Sequence, residues 1–259
     1  MSRSLQLLVP LLLLAPPAAA QDTTEEAPAA ESEGPITRQT AHRETPLVDF
    51  EYSWPQAINS EPKLVAQLQA DLSTNYDEAL ANARENKTLI EQNNGTFNQN
   101  FFTRVWSLEG ETPRFFSLLA KTDTFTGGAH PNHNSSALLW NRPGDAEVDF
   151  ADLFESADSL AGAIRAQFCK LLDAERAKRR GGEVIEGDFS ECPAFSELTI
   201  FPADSDGNGR FESINLIADP YVAGPYAEGD YNVEVGVSPA VISALKPEYR
   251  SDFEVQRAQ

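Results

Sequence analysis

Leu64, Leu68, Leu72, Tyr76 and Leu80 recur every fourth residue, with Val65 and Ala79 widening the stripe. This spacing gathers apolar side chains on one face of an α-helix and leaves the other face wet. A helix of this kind must bury its stripe against another layer, here a sheet. Ser60 is expected to cap it, because a hydroxyl there can accept from the free amides of the first turn. A second stripe, Leu160, Ile164, Phe168, Leu171 and Leu172, follows a cap near Ser156. That helix closes with Arg176, Lys178, Arg179 and Arg180 before Gly181-Gly182. Basic side chains and glycine both answer the unpaired carbonyls of a helix end.

Strand-like runs surround the helices at 47–54, 101–108, 114–125, 135–141, 197–201, 211–217 and 231–237. Turn signals separate several of them, among them Asn93-Asn94-Gly95, the stretch 109–112 and Arg142-Pro143-Gly144-Asp145. A short closing helix is expected over 239–245. The irregular alternation, with hairpin-like turns, predicts an α+β fold: antiparallel or mixed sheets packed with two main amphipathic helices.

At the N-terminus, Arg3 precedes an apolar run from 5 to 14, and Ala18-x-Ala20 supplies a small-residue cleavage pattern before Gln21. The run is shorter than the roughly 20 residues that span a bilayer. Residues 1–20 therefore read as a secretory signal. The mature protein is expected to be periplasmic or secreted, with no stable membrane insertion after cleavage. Residues 21–43 are rich in Ala, Pro and Glu and read as a flexible acidic tether, unable to bury enough apolar surface to offset its ordering entropy.

The chain holds 40 Asp and Glu against 20 Lys and Arg, and losing Arg3 with the signal moves its net charge from -20 to -21. Such a surface repels nucleic acid and anionic lipid and favours basic partners or cations. The arginine cluster is accordingly a helix end, not a nucleic-acid patch. In an exported chain the two cysteines, Cys169 and Cys192, are expected to form a disulfide.

Three segments could carry chemistry. In Thr124-Phe-Thr-Gly127-Gly128-Ala-His130-Pro-Asn-His133 the paired glycines allow close approach of another group, and the histidines could serve as acid and base or bind a metal. Equally, a histidine there could bond to backbone and hold the turn. Asp204-Ser-Asp206-Gly-Asn208-Gly-Arg210-Phe-Glu212 places ligand-type groups at relative positions 1, 3, 5, 7 and 9 of a calcium loop, the Arg210 carbonyl serving at 7. Asn215 stands where the bidentate Glu belongs, at position 12. Calcium is the candidate cofactor, and a polar hairpin loop the alternative. Asp219-Pro-Tyr221-Val-Ala-Gly-Pro-Tyr226-Ala-Glu-Gly229 is a stiff connection whose tyrosines suit either recognition or anchoring to the core.

Phe125-Thr-Gly-Gly-Ala-His130, Phe150-Ala-Asp-Leu-Phe154 and Tyr221-Val-Ala-Gly-Pro-Tyr226-Ala-Glu-Gly229 together resemble the RsiV/PdaC-like extracytoplasmic domains of unknown function. These occur in the ectodomain of a lysozyme-sensing anti-sigma factor and ahead of the catalytic module of a peptidoglycan deacetylase. The resemblance implies two small α+β domains in tandem, a PdaC-like one at 44–130 and an RsiV-like one at 131–259. It implies a non-enzymatic cell-envelope binding role toward lysozyme or cell-wall glycan, with Gly127, Gly128, His130, Tyr221 and Tyr226 as binding residues. The lysozyme partner suits the acidic charge. With no cytoplasmic segment and no deacetylase module in the sequence, neither an anti-sigma nor a deacetylase role is expected. The competing expectation is a small periplasmic hydrolase using His130 or His133.

Overall fold

In the computed structural model the apolar stripe of the first helix lies against a six-stranded sheet, as its periodicity requires. Residues 37–183, 187 and 189–257 are described; the expected signal, and the tether as far as residue 36, lie outside them. The sheet comprises β1 (Arg38–Glu44), β2 (Val48–Pro55), β3 (Asn100–Glu111), β4 (Phe115–Phe125), β5 (Asn132–Asn141) and β6 (Ala146–Val148), in that spatial order. β2 and β3 are parallel, joined by α1 (Pro62–Gln92), and the other pairs are antiparallel. A second sheet of β7 (Thr199–Ala203), β8 (Ser213–Ala218) and β9 (Tyr231–Gly236) is antiparallel throughout. α2 (Ala157–Arg179) and the short α3 (Pro239–Ala244) complete the α+β architecture.

Two cores result. Leu64, Leu68 and Leu72 of α1 pack on Phe50, Tyr52, Phe102 and Trp106. Leu160, Ile164, Phe168 and Leu172 of α2 pack with Ile214, Leu216, Val233 and Val235. β4 joins the two: Phe116, Leu118 and Ala120 enter the first core, while Phe115 enters the second and Leu119 meets Phe201 and Ile217. Ser117, on the same face as Leu119, donates to the Pro202 carbonyl at 2.6 Å. The expected tandem halves thus share one sheet. The boundary after residue 130 falls between β4 and β5, which pair over ten positions, and Thr37–Gln259 is one compact unit.

Three local expectations are corrected. The tether ends sooner than residue 43, because Arg38–Glu44 pair with β2 along their whole length. This is a polar edge strand whose charged side chains discourage further pairing. The N-cap of α1 is Glu61, not Ser60, whose hydroxyl instead donates to the Ala57 carbonyl within a 3-10 turn. Leu171 lies off the buried stripe of α2 and is exposed. Ser156 caps α2 as expected, accepting from the Ser159 amide, and α1 stops at the expected Asn93-Asn94-Gly95 turn.

A polar network runs through the first core. The Tyr52 hydroxyl accepts from the Trp106 indole N–H at 2.7 Å and donates to Asp71 at 2.7 Å. Asp71 pairs with Arg104, whose Nε donates to the Thr122 hydroxyl. Burial, and then the Asp71 hydrogen bond, push the Tyr52 phenol up from its usual value. In the second core Cys169 and Cys192 form the expected disulfide, with their Cα atoms 5.5 Å apart.

Tyr52→Phe leaves the Trp106 N–H and the Asp71 carboxylate without their shared partner. Denaturant unfolding is expected to show a loss of about 1–3 kcal/mol. Replacing both cysteines by alanine is expected to cost about 3 kcal/mol, the value for a crosslink closing a loop of this order. Removing the disulfide should leave the far-UV dichroism of the folded protein unchanged.

Candidate functional site

The β4–β5 hairpin and the β8–β9 connection meet to form one cluster. β4 contributes Lys121 and Asp123, and β5 contributes His133 and Ser135. The loop between those strands carries Gly127, Gly128 and His130. The stretch 219–230 brings Tyr221 and Tyr226. The His130 ring stacks on Tyr226 with centroids 3.8 Å apart, and Tyr221 lies 5.9 Å from Tyr226. Four of the expected site residues, His130, His133, Tyr221 and Tyr226, therefore come together. Gly127 and Gly128 shape the loop beside them.

Both imidazoles are engaged. His130 Nδ1 lies 2.8 Å from the Pro131 carbonyl. His133 bonds to Asp123 through Nδ1 and sits 3.0 Å from the Tyr226 hydroxyl through Nε2. The Tyr226 hydroxyl also donates to the Pro131 carbonyl at 2.8 Å. One hydroxyl hydrogen cannot serve both acceptors, so His133 must donate to the tyrosine oxygen. Among the described residues neither imidazole bonds to a serine hydroxyl or a thiol.

A cleft of about 600 Å³ adjoins the stack, lined by Asp123, Asp219, Glu228 and Asp230 together with Lys121. Lys121 pairs with Asp230 at 2.5 Å, and Asp219 accepts from the amide and hydroxyl of Ser135. These polar residues were not singled out from the sequence, since strand pairing and loop closure bring them together from distant positions.

The tyrosine loop is clamped by the end of α2. Arg176, buried, donates to the Ala223 and Glu191 carbonyls. Arg179 donates to the carbonyls of Glu228 and Asp230 and lies over the Tyr231 ring. Arg180 makes two hydrogen bonds to the Glu228 carboxylate, both at 2.9 Å, and Tyr231 donates to the same group. A side chain on Gly224 would run into that carboxylate, so only glycine fits there. The basic cluster is a helix end, as expected, and it is also the anchor of the loop. So held, Tyr221 stands 57% exposed in the left-handed region at φ +73°, its N–H bonded to the Gly224 carbonyl.

The expected metal loop connects β7 to β8. Asp204, Asp206 and Glu212 bring carboxylate oxygens within 4.8 Å of one another. Asn208 instead donates its amide to Asp206 and Glu254, and Arg210 is exposed. Burial pushes the Asp204 carboxyl up from its usual value against two backbone N–H bonds, with Glu212 and Asp206 adding like charge.

Comparison with known proteins places these features in context. Residues 41–133 match the family model described as Deacetylase PdaC. The match runs from within β1 to the start of β5 and leaves the tyrosine loop outside. Two solved structures share the fold. A DUF3298 family protein from Pseudomonas aeruginosa is 13% identical with a TM-score of 0.50, over 82% of this chain and 95% of that one. A DUF3298 family member from Bacteroides fragilis is 12% identical with a TM-score of 0.51, over 85% and 97%. A search of curated proteins finds no match. The resemblance read from the residues thus holds for a PdaC-like domain and a DUF3298-type fold.

The Glu228 carboxyl is held below its ordinary value of 4.5, chiefly by the Arg180 hydrogen bonds, against burial. Its folded value being depressed, the stabilisation is complete above 4.5 and is lost as pH falls through the lower folded value. Arg180→Ala is expected to lower stability by about 1–3 kcal/mol at neutral pH. In thermal melts across the acid range, the gap between variant and parent should narrow below pH 4.5.

Proposed function

We propose that the protein is an exported, non-enzymatic binder of the cell envelope, periplasmic or secreted. It recognises a basic partner such as lysozyme through the Tyr221–Tyr226–His130 stack and the acidic cleft beside it. The observation that carries this reading is Tyr221: a large aromatic side chain, mostly exposed, held at positive φ by a clamped loop. A bulky residue in that region costs on the order of 1–3 kcal/mol, and such strain gathers where a ligand is gripped. Rigid aromatic anchors flanked by polar groups are what binding surfaces are built around.

The cleft supports the sign of the partner. Of its four carboxylates, Glu228 is paired with Arg180, Asp230 with Lys121 and Asp123 with His133, so Asp219, which accepts from Ser135, is the one left to meet a lysine or arginine head group. The disulfide suits an oxidising compartment. Among the described residues no helix is long and apolar enough to cross a membrane. The hydrolase reading loses support because, among the described residues, neither imidazole bonds to a serine hydroxyl or a thiol that it could activate. Wall glycan stays as a second reading, since the exposed Tyr221 ring beside the Tyr226–His130 stack offers an aromatic surface on which a sugar ring can lie.

Calorimetric titration of the mature chain with hen-type lysozyme, at low and raised salt, tests the proposal. Saturable binding with defined stoichiometry that survives salt is expected. Tyr221→Gly should raise thermal stability, by about 1 kcal/mol, as the backbone strain is relieved. The same variant should weaken binding at least about tenfold. Absence of binding both to lysozyme and to wall fragments would overturn the assignment.

A further inference from the structure

At the other end of the second sheet, a knot of carboxylates stands without a counter-ion. Asp204, Asp206 and Glu212 each offer an oxygen within 4.8 Å of the other two. Two oxygens on opposite sides of a calcium ion, each at about 2.4 Å, are about 4.8 Å apart. Separations within that limit lie in the range over which oxygens can share one such ion. Glu212 is only 6% exposed. Its Oε1 accepts from the amide and hydroxyl of Ser205, while its Oε2 is buried with no hydrogen-bond partner. A buried carboxylate oxygen with neither donor nor cation carries a large desolvation penalty. Among the described residues no lysine, arginine or histidine pairs with any of the three.

We propose that this loop binds one calcium ion through Asp204, Asp206 and Glu212, with water completing the oxygen shell. The backbone amides of Asn208 and Gly209 donate to Asp204, and Asn208 also to Asp206, wrapping the loop around the three acids. Calcium suits such a site better than magnesium, which demands a tighter and more regular octahedron.

The ion would tie together parts of the fold distant in sequence. The Asp204 amide donates to the Glu109 carbonyl of β3 at 3.0 Å. The approach is so close that a side chain on Gly110 would lie 2.7 Å from that nitrogen. Phe211, one residue before Glu212, exchanges backbone hydrogen bonds with Asp252 and Glu254 of the C-terminal segment. Calcium at the loop therefore braces both the junction with the six-stranded sheet and the end of the chain.

The test is a calorimetric titration of the chelator-treated full chain with calcium chloride at physiological salt, alongside thermal melts with calcium, magnesium or chelator. One equivalent of calcium is expected to bind. The melting temperature should rise by several degrees at a hundredfold excess over Kd, with a smaller rise in magnesium. Asp206→Asn, at an exposed position, should weaken calcium binding at least tenfold without disturbing the core. Glu212→Gln should abolish the calcium response, and in chelator it should melt above the parent because the unanswered buried charge is gone. No heat and no shift in melting would overturn the proposal. So would a calcium response equal in the parent and both variants, the signature of diffuse counter-ions around a chain of charge -20.

Discussion

The fold depends on the burial of β4 on both faces. Phe116, Leu118 and Ala120 face α1, while Phe115 and Leu119 face the second sheet and its helix. A strand buried on both faces reads as a continuous apolar run, and Phe115 to Ala120 is such a run, broken only by Ser117. That serine sits where its hydroxyl can reach the Pro202 carbonyl, so the break in apolarity is itself paired. Neither core closes without this strand.

The shared strand also explains where the two sites lie. β8 runs beneath the six-stranded sheet, so its two connections emerge at opposite ends of β4. One brings Asp204 against Glu109, near the start of β4. The other brings Asp219 to Ser135 and Asp230 to Lys121, near its end. Neither cluster is a property of one segment; each exists because two sheets are stacked. The tyrosine loop needs one more element, the end of α2, whose three arginines hold its carbonyls and its Glu228. Rigidity is supplied from outside the loop, which is what lets Tyr221 stay strained and exposed.

Much of this was legible in the sequence, and the remainder was hidden for definite reasons. The apolar periods located both main helices and nearly every strand, because burial and periodicity are the same fact seen twice. β1 was missed since Arg38–Glu44 is an exposed edge strand with almost no apolar residues; its order comes from pairing with β2. The cysteines, the Ser156 cap and the glycine stop after α2 were readable because each is local chemistry. The engagement of His133 by Asp123 and Tyr226 was not, since the three sit on separate elements. The arginines could be recognised as a helix end, yet their reach to Ala223 and Glu228 is a tertiary property. The PdaC-like stretch and the first core largely coincide, yet of the three motifs that carried the resemblance only Phe125–His130 lies in that stretch and none lies in that core.

The acidic excess is best understood by asking which carboxylates the fold answers. Asp71 meets Arg104, Glu228 meets Arg180 and Asp230 meets Lys121. In each case the cation belongs to a distant segment and the pair fixes architecture. These three basic residues thus sit at junctions, and carboxylates that meet no cation are left to face solvent, an ion or another molecule. Around Tyr226 that leaves Asp219, beside the aromatic rings, for a cationic group of the proposed partner. Where carboxylates converge on a buried oxygen, as at Glu212, only a small ion can reach. On the two proposals, the same composition would serve two kinds of recognition, with burial deciding between them.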